Sequence, residues 1–353
     1  MGRNGKFRGM IGDEGYILFE GDCLDVLSTL KDSSVDLICI DPPYFKVKNL
    51  AWDRQWAKPK DFLEWMGIVL EEFHRALKPN GSLYVFASPK MSWGVEGEVR
   101  KKFCVLNNIR WVKPHGRSNA ASKESLRSFF PEQESIIFAE HFGADNIAKG
   151  EAGYEKKCDE LRGFVFEPLR AYLISERKKA GLSRTDIRNA YSKSFGNKGA
   201  GITGHYWDRS QWMLPTEDMY NWLRKTLSRL NSNGQYLRRE YEELRREYEE
   251  LRRPFGVSKD VPYTDVWTFK TVQSYKGKHP CEKPYDLIEH IIRASSREGA
   301  TVLDAFMGSG VTGEACIRNN RKFIGIDMQS KWVKKSQNRI EAARINMNQL
   351  TLI

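Results

Sequence analysis

Two rhythms of apolar residues run along the chain and divide it into three parts. In the first part short apolar runs alternate with helical stripes. Tyr16-Ile17-Leu18-Phe19 reads as a strand closed by Glu20-Gly21-Asp22, after a polar, Gly-rich opening (1–15) that predicts a loose arm. Asp25–Leu30 predicts a short helix, with Leu24, Leu27 and Leu30 on one face. Val35–Ile40 is apolar almost throughout, as a parallel strand covered on both faces must be, and Asp41-Pro42-Pro43-Tyr44 stops it. A stripe of Phe62, Trp65, Met66, Val69, Leu70, Phe73 and Leu77 predicts a helix over Asp61–Leu77, ended by the turn Lys78-Pro79-Asn80-Gly81. A strand at Ser82–Ala87, a helix at Val95–Phe103 and strands at Asn108–Val112 and Ser135–Phe138 complete this part. Such alternation predicts an α/β domain with a mainly parallel sheet.

The texture changes near residue 140. Gly, Lys and Glu dominate 143–163, and Lys and Arg crowd the stretch from Pro168 to Lys198. A helix from Pro168 to Ala180, a turn at Gly181-Leu182 and a second helix opened by Ser183-Arg184-Thr185-Asp186 form a helix-turn-helix-like pair. A Gly-rich loop (Gly196 to Gly204), a Trp-rich piece and a helix from Thr216 to Leu230 follow. Leu237, Tyr241, Leu244, Tyr248 and Leu251 then step by four and three in a heptad-like stripe that Pro254 ends. Such a stripe fits a charged helix lying against its own protein; it also fits one that joins two copies in a homodimer or spans DNA.

The α/β rhythm returns with Val266–Phe269. A helix runs to about Ala294, a strand at Thr301–Leu303 enters a Gly turn, and a helix follows to Asn319. A strand at Phe323–Ile326 ends on Asp327, and a last helix reaches about Asn346, so the closing stretch is a βαβ unit. Three regions result: 1–140, an insert at 141–260, and 261–353.

Composition adds little to this picture. At 40% apolar residues the chain can bury a core, and no run approaches the ~20 apolar residues of a membrane span. The opening residues lack the apolar core of a signal peptide, so a cytoplasmic protein without a membrane partner is the expectation. The six cysteines are scattered without a Cys-x-x-Cys pair, which suggests neither a zinc site nor a disulfide framework. A net charge of +11 favours a polyanionic partner.

Two strand ends carry candidate chemistry. At the first, Asp41 and the carbonyl of Pro42 can both accept N–H bonds from an exocyclic amine, drawing its nitrogen toward sp³ geometry and stabilising the positive charge that develops there. Tyr44 offers a flat face on which an extruded base can stack. Lys46, Lys48, Trp52 and Trp56 follow as a lid over that base, Trp52 and Trp56 equally as core residues, and Lys46 and Lys48 are candidate DNA contacts. At the second, Asp304-Ala305-Phe306-Met307-Gly308-Ser309-Gly310 lets the backbone approach a ligand at a helix N-terminus, and Asp327 stands where a carboxylate binds a ribose diol.

Together the two motifs resemble the S-adenosylmethionine-dependent amino-methyltransferases of DNA, with signatures Asp/Asn/Ser-Pro-Pro-Tyr/Phe/Trp and Asp-x-Phe-x-Gly-x-Gly. His279-Pro280-Cys281-Glu282-Lys283-Pro284 is similar to the family's His-Pro-x-x-Lys-Pro. The catalytic motif precedes the donor motif, as in the permuted β class. The resemblance covers roughly 16–140 and 262–345. It implies a Rossmann-like, seven-stranded sheet with a mainly helical inserted target-recognition region at 141–260.

By that resemblance Asp41, Pro42, Pro43 and Tyr44 are the catalytic residues. S-adenosylmethionine is the donor, with no metal. Phe306, Gly308, Ser309, Gly310 and Asp304 line the donor, Asp327 binds its ribose, Asp22 contacts its adenine, and His279 and Lys283 wall its pocket. Asp rather than Ser at position 41 leans toward adenine N6 over cytosine N4. Duplex DNA of a bacterium or phage is the implied substrate, with or without a companion restriction nuclease. In the insert Arg184, Arg188 and Lys193 are candidate DNA contacts, to bases or to phosphates alone.

Two rival readings carry less. Pro280-Cys281 is similar to the nucleophile of cytosine-C5 methyltransferases, but in those the donor glycines come first. A non-catalytic DNA-binding protein on a methyltransferase scaffold fits poorly with intact Asp41, Tyr44, Gly308, Gly310 and Asp327.

Overall fold

The computed structural model describes residues 9–13, 15–113, 129, 131–141, 166–208, 212–231, 234–256 and 264–350. Residues 1–8 of the expected arm and the Gly/Lys/Glu-rich stretch at 143–163 lie outside them. The chain forms two compact units, Met1–His141 with Pro254–Ile353, and Phe142–Arg253.

The first unit is built on one sheet. Its strands are β1 (Gly9–Asp13), β2 (Tyr16–Glu20), β3 (Val35–Ile40), β4 (Leu77–Ala87), β5 (Cys104–Val112), β6 (Gln133–Glu140), β7 (Val266–Thr268), β8 (Thr301–Asp304) and β9 (Lys322–Asp327). They lie in the order β1-β2-β9-β8-β3-β4-β6-β5-β7. The central seven, β2 to β5 in that order, make the sheet that the resemblance implies. Two short strands widen it: β1 antiparallel to β2, and β7 parallel to β5. The arm expected to be loose thus contributes an edge strand. Its polar residues hid it, because an edge needs backbone pairing and no apolar run.

β3 shows why its sequence is continuously apolar. Ile38 and Ile40 face a cluster with Met66, Val69 and Phe73 of the helix Pro59–Ala76. Leu37 and Cys39 face the opposite cluster, with Leu287, Ile291 and Val302. Burying each such aliphatic side chain contributes roughly 1.5–3 kcal/mol before entropy is counted. At the far end Asp36 binds Lys78 Nζ (2.7 Å) and accepts the Thr301 N–H (2.9 Å), tying β3 to β4 and β8. The Lys78–Gly81 turn expected between helix and strand is instead an irregular opening of β4, whose pairing with β3 shifts between Val35 and Leu37. The preceding helix accordingly stops at Ala76.

β8 and β3 are parallel neighbours, Ile38 opposite Leu303. The chain leaves β8 toward β9 on one side and β3 toward β4 on the other, so a crevice opens at their carboxyl ends, where open α/β sheets bind ligands. Asp41 and Phe306 both follow immediately on this edge. Elsewhere in the unit, the ring of Phe255 stacks on Phe138 of β6 (centroids 5.6 Å apart, 18° between planes). Gly256 N–H is bound to the Ala294 carbonyl (2.9 Å), and His141 Nε2 lies 2.7 Å from the carbonyl oxygen of His74.

The second unit is helical in its described residues: Glu167–Lys179, Arg184–Phe195, Ile202–His205, Glu217–Leu230 and Tyr241–Leu251. Ser183 caps the second helix, with Asp186 returning the bond to the Ser183 N–H, and Thr216 caps the fourth. Leu169, Leu173, Ile187, Trp207, Tyr220, Leu227 and Leu244 share its core.

The heptad-like stripe is shorter than expected. Leu237 lies before the last helix with φ +53°, buried, its N–H donated to Glu176 Oε2 (2.8 Å). Leu244 is in the core, and Tyr241, Tyr248 and Leu251 pack against it. The stripe is therefore used inside the unit. Arg184 is bonded to Asp208 (2.8 Å) and the Trp207 carbonyl (3.1 Å), and it is exposed, as are Arg188 and Lys193.

Candidate active site

An open cavity lies at the crevice. Asp41, Pro42, Pro43 and Tyr44 line it, and so do Asp22, His279, Phe306, Gly308 and Asp327. Residues more than 250 positions apart in sequence thus share one space, because β3 and β8 are neighbours.

On the donor-motif side the turn after β8 is held by its own side chains. Gly308 takes φ +48°, and a Cβ there would lie 3.1 Å from the His279 ring. The Gly308 N–H donates to Asp327 Oδ2 (3.1 Å), and the Gln329 N–H to Asp327 Oδ1 (2.8 Å). Each oxygen keeps a lone pair for a further donor. Burial pushes the Asp327 carboxyl up to about 6, against the two N–H bonds that lower it. A bare, glycine-lined backbone beside an acceptor carboxylate fits a ribose-bearing donor. Asp22 caps the helix Cys23–Leu27 by accepting the Leu24 N–H (2.8 Å), and its residue also faces the cavity.

Three residues expected on the donor do not line this cavity. Asp304 is buried with both oxygens occupied, Oδ1 by the Phe306 N–H (3.0 Å) and Oδ2 by the Thr312 hydroxyl (2.6 Å). It braces the turn, and burial lifts its carboxyl to about 7. Gly310, at φ +77°, lies against the last helix, where a Cβ would come within 2.6 Å of Ser336 Cα. Ser309 is buried near Arg339 (3.4 Å) and does not line the main cavity.

Lys283 is the larger correction. Its ammonium is 2.6 Å from Asp41 Oδ2 and 3.4 Å from Glu134 Oε2, so it is paired with the Asp41 carboxylate and does not line the main cavity. Burial alone would lower its pKa, but Asp41 and then Glu134 raise it above the ordinary value, and it stays charged. Glu134, at the start of β6, also accepts the Tyr44 hydroxyl (2.9 Å) and pairs with Lys113. Burial would raise its carboxyl, but Lys283 and Lys113 hold it down to about 2. Asp41 itself is pushed above its usual range by burial, with Lys283 opposing. Its Oδ1 is buried and without a hydrogen-bond partner.

Asp53 escaped the sequence reading. It is fully buried, and its carboxylate accepts the N–H groups of Tyr44 (2.7 Å) and Lys48, while its carbonyl accepts that of Lys46 (2.7 Å). Phe45 and Lys46 both sit at φ +60°, a strained pair that this clamp holds in place. Lys46 and Lys48 are exposed on the same loop. Trp56 is core, packed on Phe62, whereas Trp52 lies over His279 at the cavity wall (6.4 Å, 18°). His279, its pKa lowered to about 4 by burial and then by Lys283, is neutral at pH 7. Burial lifts the Cys281 thiol to about 11, which leaves no thiolate for nucleophilic attack.

A family model described as DNA methylase matches residues 35–338. The DNA adenine methyltransferase YhdJ of Escherichia coli (strain K12) is 26% identical over 332 residues, covering 94% of this chain and 85% of that one. The Type II methyltransferase M2.DpnII of Streptococcus pneumoniae is 27% identical over 364 residues, covering 96% of each. Among solved structures, the cytosine-N4-specific PvuII DNA methyltransferase shares the fold, with a TM-score of 0.52 at 13% identity over 95% of this chain and 90% of that one. The match over most of the chain, and the meeting of both motifs on one cavity, lead to one conclusion: the chain belongs to the DNA methylase family, the S-adenosylmethionine-dependent amino-methyltransferases of DNA.

Proposed function

We propose that the chain methylates the N6 amine of adenine in duplex DNA, with the base extruded into the cavity. The observation that carries this reading is Asp41, a carboxylate at a strand end whose Oδ1 has no partner. S-adenosylmethionine supplies an electrophilic methyl group on a sulfonium. Asp41 Oδ1 and the Pro42 carbonyl accept the two amine hydrogens, so the nitrogen lone pair leaves conjugation with the ring and points at the methyl carbon. The N–C bond forms as the C–S bond breaks, and the carboxylate stabilises the charge on nitrogen before taking its proton. Tyr44, fixed through its hydroxyl by Glu134, stacks on the base.

Asp327 accepts the ribose hydroxyls, and the Gly308 turn and Phe306 receive the donor. The Asp22 residue bounds the adenine end, and His279 walls the pocket. Lys46, Lys48, Arg188 and Lys193 contact DNA, and the helical unit supplies target recognition. Aspartate rather than serine at position 41 and the likeness to a DNA adenine methyltransferase favour adenine over cytosine.

Incubation of duplex DNA with labelled S-adenosylmethionine and nucleoside analysis should yield N6-methyladenine. N4-methylcytosine as the sole product would overturn the choice of base. Replacement of Asp327 by alanine should weaken donor binding at least tenfold in calorimetric titration, about the cost of a lost charge-assisted bond. In the unaltered protein donor affinity should fall as pH drops below about 6, because Asp327 then takes up a proton. Cys281→Ser should keep the rate within about threefold of the parent, and intact mass should reveal no protein–DNA adduct.

A further inference from the structure

Asp41 has to accept a bond from the amine, yet an ammonium already lies on it. The geometry resolves this by dividing the carboxylate. Lys283 Nζ occupies Oδ2 at 2.6 Å, and Oδ1 is buried without a geometric hydrogen-bond partner, the Tyr44 hydroxyl lying beside the same carboxylate. Glu134 sits on the other side of the same ammonium at 3.4 Å and is itself shared with Lys113 and the Tyr44 hydroxyl. Lys283 also lies over the Tyr44 and Phe86 rings, at 5.1 and 5.0 Å from their centroids, which fixes its head group from below.

We propose that Lys283, countered by Glu134, is a positioning residue for methyl transfer: it engages one oxygen of Asp41 and keeps the other a free, ionised acceptor for the target amine. This rests on the reading of Asp41 as the residue that grips that amine. The groups facing Asp41 are Lys283, Glu134, Tyr44, Cys281, Asp304 and Cys39. Among these described groups only Lys283 is a cation. Without it, a buried carboxylate beside another carboxylate would take up a proton. A protonated Asp41 makes a poorer acceptor and cannot stabilise a cationic nitrogen by charge. Glu134 works in the opposite sense. Its negative charge raises the Asp41 carboxyl, and its removal leaves Lys283 wholly to Asp41.

Opposite shifts therefore follow for the two partners. The full chain would be assayed for single-turnover methylation of duplex DNA from pH 5 to 9, with donor binding measured in parallel. Lys283→Met should lower the rate at neutral pH about a hundredfold and move the acid limb of the profile up by at least a pH unit. Glu134→Gln, which keeps an acceptor for Tyr44, should move that limb down. Donor affinity should stay within about threefold in both. Lys283→Arg should restore much of the limb's position, and this variant with Glu134→Gln carries the test if the methionine variant does not fold.

Donor affinity weakened tenfold by Lys283→Met, with the rate at saturating donor near the parent's, would overturn the proposal and return Lys283 to the donor wall. Limbs that stay put, or move the same way, would overturn it too. Asp41→Asn separates the two claims. If the acid limb survives that change, the role of Asp41 itself fails. If Asp41→Asn removes the limb while Lys283→Met leaves the parent's limb in place, only the role of Lys283 fails.

Discussion

Asp41→Ala is expected to lower methyl transfer at saturating donor by about a thousandfold while donor affinity changes by less than about threefold. One preorganised acceptor at a developing charge contributes about 10²–10³ in rate, and the loss of the carboxylate removes both the acceptor and the negative charge. The donor side does not depend on it: Asp327 is held by the backbone of Gly308 and Gln329. The same substitution strips Lys283 of its nearer counter-ion. Removing one partner of a buried pair costs roughly 3–5 kcal/mol, but Glu134 remains 3.4 Å away, so the fall in stability should be smaller than that. Single-turnover rates with labelled donor and a thermal melt measure the two effects separately. Activity within tenfold of the parent would refute the role of Asp41.

Gly310→Ala is expected to destabilise the fold by about 2–5 kcal/mol. The left-handed backbone at φ +77° costs an L-residue about 1–2 kcal/mol, and overpacking adds about 1–3. The added Cβ would meet Ser336 Cα at 2.6 Å, a backbone atom in the middle of the helix Ser330–Leu350. Ser336 cannot retreat freely, because its hydroxyl donates to the Gly308 carbonyl (3.0 Å). Gly97 is the matched control. It lies within the helix Ser92–Arg100 with nothing near its missing Cβ, so alanine there should stabilise by about 0.5–1 kcal/mol. Urea unfolding of both variants compares them directly. Equal midpoints would show that the turn after β8 tolerates a side chain.

What could be read from the residues followed local pattern. β3, β8 and β9 announce themselves as apolar runs, and the residues following them meet at the cavity. Asp41, Tyr44, Gly308 and Asp327 were all identifiable because each stands next to such a strand end. Glu134, Lys113 and Asp53 were not, since their importance lies in contacts across the sheet edge or within an irregular loop, and no spacing encodes those. Lys283 was singled out through a motif, yet its partner was hidden: only the adjacency of β3 and the segment before the helix Tyr285–Ser295 brings it to Asp41. Asp304 and Gly310 mark a donor loop in sequence but serve its framework in space. At Leu237 the four-and-three spacing outran the helix, because periodicity registers spacing and is blind to a residue at φ +53°.

The stacking of Phe255 on Phe138 has a consequence for the stretch of chain that precedes it. The chain leaves the first unit after His141 and by Gly256 is bonded to it again, so both ends of the excursion are fastened to one unit. With its ends so fastened, the cost of closing the excursion grows only with the logarithm of its length, about 0.6 kcal/mol per doubling. The stretch Phe142–Arg253 has a core of its own. It is therefore a unit whose side chains can change without disturbing the crevice between β3 and β8, because its core and the core of the sheet share no residue.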